Sequence, residues 1–277
     1  MILDLGILII GGCLGGFLAG LLGVGGGMIF IPFIQYMLSN FSNIPDSEIV
    51  KFTLANSIGL VFLSGISGIS RQAKLKIYSF KNSLYIGIPG AIAASTMNWA
   101  IQNGNWYVKS DFQKVFLLFL LLSILNMIFG KQSTELEQND IGKKILPKIV
   151  LGLLAGTVVA LSGLGGGIIM VPLIRYLLKK PIHEATSLSL SIVPLLSFVP
   201  IIQNMMAKNV PQLIQNGYNF PQSGYIIWPY FIPLAIGVIF FSSFGQKTAQ
   251  KVPVLWLRVI FAVLSTIILI KTLYEIF

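Results

Sequence analysis

Two stretches of the chain superimpose without a gap. Gly12 to Leu38 reads GCLGGFLAGLLGVGGGMIFIPFIQYML, and Gly152 to Leu178 reads GLLAGTVVALSGLGGGIIMVPLIRYLL, at a constant offset of 140 (152 − 12). Gly12, Gly16 and Gly23 meet Gly152, Gly156 and Gly163; Gly25-Gly26-Gly27 meets Gly165-Gly166-Gly167; Pro32 meets Pro172 and Tyr36 meets Tyr176. A self-match of this length means the chain is a duplication. The glycines interrupt apolar runs, so they read as breaks in membrane helices rather than as soluble turns.

Composition supports the membrane reading. Of the 277 residues 55% are hydrophobic and 10% are charged, against about a quarter charged in an average soluble chain. Apolar stretches of about 20 residues, the length that crosses a bilayer, recur throughout. The net charge of +10 does not point to nucleic acid, because the basic residues sit in short loops between spans, where they set topology. MILDLGILII has no basic leader or cleavage-site pattern and reads as the start of the first span. The single cysteine, Cys13, rules out an internal disulfide and a multi-cysteine metal cluster; Leu153 occupies its place in the second copy, and Cys13 reads as filler.

These features predict an all-α polytopic membrane protein of two homologous halves, residues 1–130 and 149–277, joined by a polar linker at 131–148. Each half carries a glycine-broken re-entrant helix pair and three further transmembrane helices. In the first half the helix at 3–22 is followed by a short piece at 28–38, a polar loop at 39–51 with Asp46, Glu48 and Lys51, and spans at 52–70, 82–101 and 112–129. Pro89-Gly90 is expected to break the second of these spans. The second half repeats the order: a broken helix at 149–178, a span at 185–206, a long loop at 207–222, and spans at 224–245 and 254–276. The loop at 71–81 is strongly basic and its equivalent at 207–222 holds only Lys208, while 39–51 is slightly acidic and Arg175, Lys179 and Lys180 cluster in the second half. By the rule that Lys/Arg-rich loops stay cytoplasmic, the halves are expected to be inverted repeats.

A helix that restarts at GGG carries roughly half a positive charge at its N-terminus and exposes backbone N–H groups. Glycine allows a ligand to approach those amides closely. Two such breaks brought together by pseudo-symmetry would face one anion near the midplane. The candidate substrate-binding residues are therefore Gly25, Gly26, Gly27, Gly165, Gly166 and Gly167. Asn56, Ser57, Thr186 and Ser187 join them as nearby donors, in runs expected to face each other, and Thr53 and Ser189 are further hydroxyls in the same runs. Gly23, Pro32, Gly163, Pro172 and Arg175 form a secondary set, with Arg175 read mainly as a residue reaching for a cytoplasmic interface. Gly12, Gly16 and Gly20, spaced by four, read as a packing face.

No Asp or Glu falls in the middle of an expected span, so an intramembrane proton relay is not evident, although His183 and Glu184 at a mouth remain able to carry a proton. There is no GxSxG, HExxH or Walker pattern, so neither catalytic residues nor a metal or other cofactor are expected. The expected partners are a small anionic substrate and the lipid bilayer, with no nucleic acid.

The paired G-x-G-G-G-(x4)-P segments, Gly23 to Pro32 and Gly163 to Pro172, with Asn56-Ser57 and Thr186-Ser187, resemble the sulfite exporter TauE/SafE family (TSUP) over essentially the whole chain. The first repeat departs from the fuller pattern in having Asn56 where the second has Thr186. The resemblance implies a multi-pass transporter of the cytoplasmic membrane that moves sulfur-containing anions such as sulfite, thiosulfate or organosulfonates. Export fits the energetics, since moving one charge through 100 mV is worth about 2.3 kcal/mol. An anion channel without alternating access, or a permease for another small organic anion, is the alternative.

Overall fold

The computed structural model describes residues 2–276 apart from 24, 39–40, 42–43, 75–79, 130–144, 166, 179–181, 216–217 and 250. Among these, ten helices follow one another: α1 (Ile2–Leu22), α2 (Gly27–Leu38), α3 (Asp46–Lys74), α4 (Phe80–Asn103), α5 (Lys109–Phe129), α6 (Ile145–Ser162), α7 (Gly167–Leu178), α8 (Ile182–Met205), α9 (Trp228–Ala249) and α10 (Val254–Ile276). Five helical stretches, 5–22, 46–70, 145–162, 184–205 and 228–249, are long and apolar enough to cross a membrane. The protein is an all-α polytopic membrane protein.

Several boundaries differ from expectation for local reasons. The polar loop expected at 39–51 ends early, because α3 starts at Asp46. The Glu48 and Ile49 amides bond to the Pro45 carbonyl at 2.9 and 3.0 Å, and Asp46 and Glu48 place negative charge on the first turn, where the helix dipole favours it. Pro89-Gly90 does not break α4. A proline in a membrane helix forfeits one backbone bond that its neighbours help to offset, and Gly90 serves instead to admit α6, whose Gly152 carbonyl lies 2.8 Å from where a methyl would stand. Ile145–Lys148, assigned to the linker, is the first turn of α6. The remainder of the linker, at 131–144, and the centre of the basic loop, at 75–79, lie outside the described residues. The long loop before α9 contains two short antiparallel ladders, β1 (Ile214–Gln215) with β2 (Tyr218–Asn219) and β3 (Gln222–Ser223) with β4 (Ile226–Ile227).

The halves interleave. The main partner of α1 is α9, and the main partner of α6 is α4. The glycine face of α1 explains the first contact: methyls at Gly12, Gly16 and Gly20 would strike the backbone of Leu234, Val238 and Ser242 respectively. Gly152 and Gly156 meet Ile86 and Gly90 of α4 in the same way. Removing Cβ lets two helices approach to backbone contact, the usual way membrane helices gain van der Waals packing. Residue numbers rise together along both pairs, so each is parallel.

Between these pairs, α3 crosses α8. Gly59, Gly65 and Gly68 face Ile201, Pro194 and Leu190, so these two helices run antiparallel. Meanwhile α3 runs with α9, since Asn56 bonds to Tyr225 and Ile227 while Ser67 bonds to Ser243. Similarly α4 runs with α8, with Asn98 bonded to Gln203.

Candidate functional site

Both glycine breaks are built from left-handed backbone. Gly23, Gly25 and Gly26 have φ of 71°, 84° and 78°; Gly163 and Gly165 have 64° and 82°. An L side chain in this region costs roughly 1–2 kcal/mol, which accounts for Gly25, Gly26 and Gly165; Gly27, which is not left-handed, is held to glycine by the close approach of the Gly163 carbonyl and Leu164. Each α-helix resumes at the third glycine of its triplet, Gly27 or Gly167. In α2 the amides of Ile29 and Phe30 take the Gly26 carbonyl at 2.9 and 3.2 Å; by helix geometry the amides before them project beyond the N-terminal end.

The two breaks touch. A methyl on Gly25 would lie 3.3 Å from the Gly165 Cα and 3.5 Å from its carbonyl oxygen. One on Gly27 would strike the Gly163 carbonyl and come within 2.7 Å of the Leu164 Cα. Gly26 instead backs onto its own half, where a methyl on it would lie 2.7 Å from the Gly15 carbonyl and 2.9 Å from Ala19 Cβ. Gly166 lies outside the described residues. Gly23, Gly25, Gly163 and Gly165 are all buried.

Each break is held by a serine from the crossing helix of the other half. Ser57 on α3 donates its hydroxyl to the Gly163 carbonyl at 2.7 Å, and Ser189 on α8 donates to the Gly23 carbonyl at 3.3 Å. The apolar neighbours correspond as well: a methyl on Gly163 would meet Leu54 at 3.0 Å, while one on Gly23 would strike the Thr186 methyl. Leu54 is three residues before Ser57, and Thr186 is three before Ser189. This geometry corrects the expected pairing of Asn56-Ser57 with Thr186-Ser187. The structural counterpart of Ser57 is Ser189, two residues further along.

Other sequence-selected residues lie elsewhere. The Asn56 side chain donates to the Phe52 and Tyr225 carbonyls at 2.8 and 2.9 Å and accepts from the Ile227 amide at 3.0 Å, so it fastens the β3–β4 segment to α3 rather than facing the breaks. Thr53 donates to the Ile49 carbonyl at 2.7 Å within its own helix. The Ser187 carbonyl takes the Ser191 hydroxyl at 2.8 Å; the serine on the break is Ser189. Pro32 and Pro172 sit inside α2 and α7 without ending them. Arg175 is in the last turn of α7, about 12 Å along the helix from Gly167 at 1.5 Å per residue.

Two buried charged groups, Lys51 and Lys148, escaped the sequence reading because their segments looked like a polar loop and a polar linker. Lys51 is 6% exposed, and its Nζ bonds to Glu48 Oε1 at 2.9 Å and to Asn105 Oδ1 at 3.4 Å. The Tyr225 hydroxyl is hydrogen-bonded to the same carboxylate. Burial first, then the charge and hydrogen bond of Glu48, push this phenol above its ordinary range, so it stays a donor. The helical start signal at Pro45-Asp46, with Glu48 in the first turn, was the readable clue.

Comparison with known proteins agrees with this architecture. Residues 8–272 match the family model described as Sulfite exporter TauE/SafE. A probable membrane transporter protein of Methanocaldococcus jannaschii is 31% identical over 93% of this chain and 91% of its own length. Probable membrane transporter proteins of Haemophilus influenzae and Bacillus subtilis are 24% and 22% identical, covering 94% and 97% of both chains. No solved structure matches. The duplicated glycine breaks, the helical architecture and the near-complete match together place the chain in the sulfite exporter TauE/SafE family of multi-pass membrane transporters.

Proposed function

We propose that the protein is a secondary transporter that moves small sulfur-containing anions, such as sulfite, thiosulfate or organosulfonates, out across the cytoplasmic membrane. The observation that carries this reading is the contact between the breaks, Gly25 against Gly165, with Ser57 and Ser189 crossing over to the opposite break. Two helix N-termini converge there, and their partial positive charges would reinforce each other on a bound anion. In this conformation the serine hydroxyls are spent on the Gly163 and Gly23 carbonyls. Parting the breaks releases both hydroxyls together with the helix-start amides, so opening and the gain of anion donors are one event. Contact between the breaks supports a gated carrier over a standing channel.

The directions of the helices support inverted halves, because a duplication whose equivalent helices α3 and α8 cross antiparallel relates its halves by an axis in the membrane plane. Starting from α1, the helix ends then fall into two sets. Lys51, Lys109, Lys114, Lys208 and Lys271 belong to the set at the start of α3, which we take as the outer side; the other Lys and Arg residues among those described belong to the opposite, cytoplasmic set. A dianion leaving a negative-inside cell gains about 4.6 kcal/mol per 100 mV, twice the single-charge value. That gradient drives export without a coupled ion.

Counterflow in proteoliposomes is the test. Sulfite, thiosulfate and a sulfonate should each exchange against a labelled sulfur anion, saturably and in preference to chloride and amino acids. Exchange of chloride as fast as thiosulfate, or flux that neither saturates nor shows trans-stimulation, rejects the carrier reading.

A further inference from the structure

The Glu48–Lys51 pair is an unusual thing to keep. Its side chains are 15% and 5% exposed, and burying an ion pair gives little net stability because desolvation offsets the attraction. Charged groups in membrane helices are by default functional. This pair sits at the outer end of α3, two turns before Ser57, where three elements meet. Glu48 and Lys51 come from α3, Asn105 from the α4–α5 connection, and Tyr225 from the segment before α9. The charged and titratable groups facing the pair are few. Tyr225 is the hairpin's contribution, and Asp46 lies two residues away at the start of α3. From the α4–α5 connection, Tyr107 turns the other way, giving its hydroxyl to the Leu161 carbonyl at 2.7 Å. Asp111 pairs with Lys114 at the surface. Glu48 Oε1 takes the Lys51 ammonium, and its second oxygen, Oε2, is buried without a hydrogen-bond partner among the described residues.

We propose that Glu48 and Lys51 form a second, proton-linked anion site on the outer side of the protein, in which a proton on Glu48 releases Lys51 to a small oxyanion. This rests on the transport reading above for the charge of the ligand and for the identity of the outer side. The physical reason is charge balance. Unliganded, the buried pair is neutral. Protonating Glu48 alone leaves Lys51 as an uncompensated buried cation, and admitting an anion alone leaves a surplus negative charge beside Glu48. Each event is costly by itself; when both occur, the proton offsets the charge of a monoanion such as nitrate in full and that of a dianion such as thiosulfate by half. The two are therefore thermodynamically linked, and anion affinity and proton affinity must rise together. Lys51 provides a compact cation with three donors, and the Asn105 amide beside it offers a further polar contact. Oε2 is the open position for the proton. In the balanced step, Glu48 takes a proton from the outer solution and the Lys51 ammonium exchanges carboxylate for oxyanion; when the anion departs, Glu48 gives the proton back to the same solution and the pair re-forms.

Thiosulfate, sulfate and nitrate binding to the purified full-length protein, measured across mildly acidic to neutral pH, tests this. Thiosulfate keeps its charge over that range, so any dependence belongs to the protein. Wild-type affinity should rise on acidification, by up to about tenfold per pH unit for one linked proton, with a proton taken up per anion bound in weakly buffered solution. Glu48→Gln should bind tightly at every pH and lose the proton uptake. Lys51→Gln should bind weakly at every pH, and the double variant should resemble Lys51→Gln. Tyr225→Phe removes a donor to the carboxylate and should move the midpoint to higher pH. Asp111→Asn, at an exposed pair, should leave the profile as it is. A melting transition matching wild type shows that each variant is folded; Lys51→Arg, which keeps the cation, should retain the pH profile should Lys51→Gln fail to fold. A pH slope that survives in Glu48→Gln, or pH-independent anion binding by wild type, overturns the proposal. Glu48-dependent linkage with nitrate but with neither thiosulfate nor sulfate would uphold it while rejecting sulfur-anion transport. Anion binding with no such linkage rejects it and leaves the transport reading intact.

Discussion

The first and second glycine breaks use the same backbone and are lined differently. Both turn through left-handed glycines, both restart a helix at the third glycine, and both present a carbonyl to a serine on the crossing helix. Around the first break the neighbours are Leu22 on its own helix and the Thr186 methyl from α8. Around the second they are Ser162, whose hydroxyl accepts the Leu164 amide at 3.2 Å, and Leu54 from α3. The serine bonds are also unequal, 2.7 Å for Ser57 and 3.3 Å for Ser189. The two breaks thus share a backbone while the side chains around them differ. Backbone is what both breaks need, and side-chain detail is where they can specialise.

The sharpest way to break this comparison is to strain the shared backbone. Gly25→Ala and Gly165→Ala each place a side chain in the left-handed region, at about 1–2 kcal/mol, and push the breaks apart. Both are expected to reduce counterflow by about five- to thirtyfold, given that about 1.4 kcal/mol is a factor of ten. If only one does so, the breaks are not equivalent partners.

Next comes Asn56, which the sequence suggested for the anion and the structure assigns to the β3–β4 segment. Asn56→Ala removes three buried hydrogen bonds and orphans the Ile227 amide and the Tyr225 carbonyl. A loss of about 1–3 kcal/mol is expected for such unsatisfied groups, visible as a lower melting temperature in detergent. The ranking of anions should not change; a changed ranking would return Asn56 to the site.

The serines sharpen the asymmetry. Ser57→Ala should destabilise the resting conformation by about 1 kcal/mol and Ser189→Ala by less, because the Ser57 bond is shorter. Thermal melts of the two variants and their double mutant measure the difference, and equal effects would argue that the breaks are energetically alike. The smallest effect is expected at Ser162→Ala, which loses one cap on the second break, about 0.5–1.5 kcal/mol before relaxation. Placing the cap on the other side, Leu22→Ser, tests whether the first break tolerates the same device.

The sequence made the breaks visible because glycine triplets inside apolar runs have few other uses. It also made the α1 glycine face visible through the spacing of Gly12, Gly16 and Gly20. It did not reveal that this face belongs to α9, since spacing describes one helix and says nothing of its partner. The serine register was missed for a related reason. The runs around Ser57 and Ser187 look alike as strings, but the connection before α8 is shorter than the one before α3, and only the crossing geometry shows the two-residue displacement to Ser189. Glu48 and Lys51 were passed over because polarity was read as solvent exposure, whereas the Pro45-Asp46 helix start carries them into the interior. The five transporter-length helical stretches were legible from apolar length alone, and Pro89 misled because a proline was given more power to break a helix than it has in a packed membrane interior.

The exchange of partners between halves also sets a timetable for biogenesis. The helix that fits the glycine face of α1 begins at Trp228, more than 200 residues later. At roughly 5–20 residues per second of synthesis, α1 spends about 10–40 s in the bilayer before that helix is made. During this interval its bare glycine stripe faces lipid or an assembly factor, and the first half cannot mature as a separate unit. A nascent chain released before Trp228 should therefore be a substrate for membrane quality control, however well its own eight helices insert.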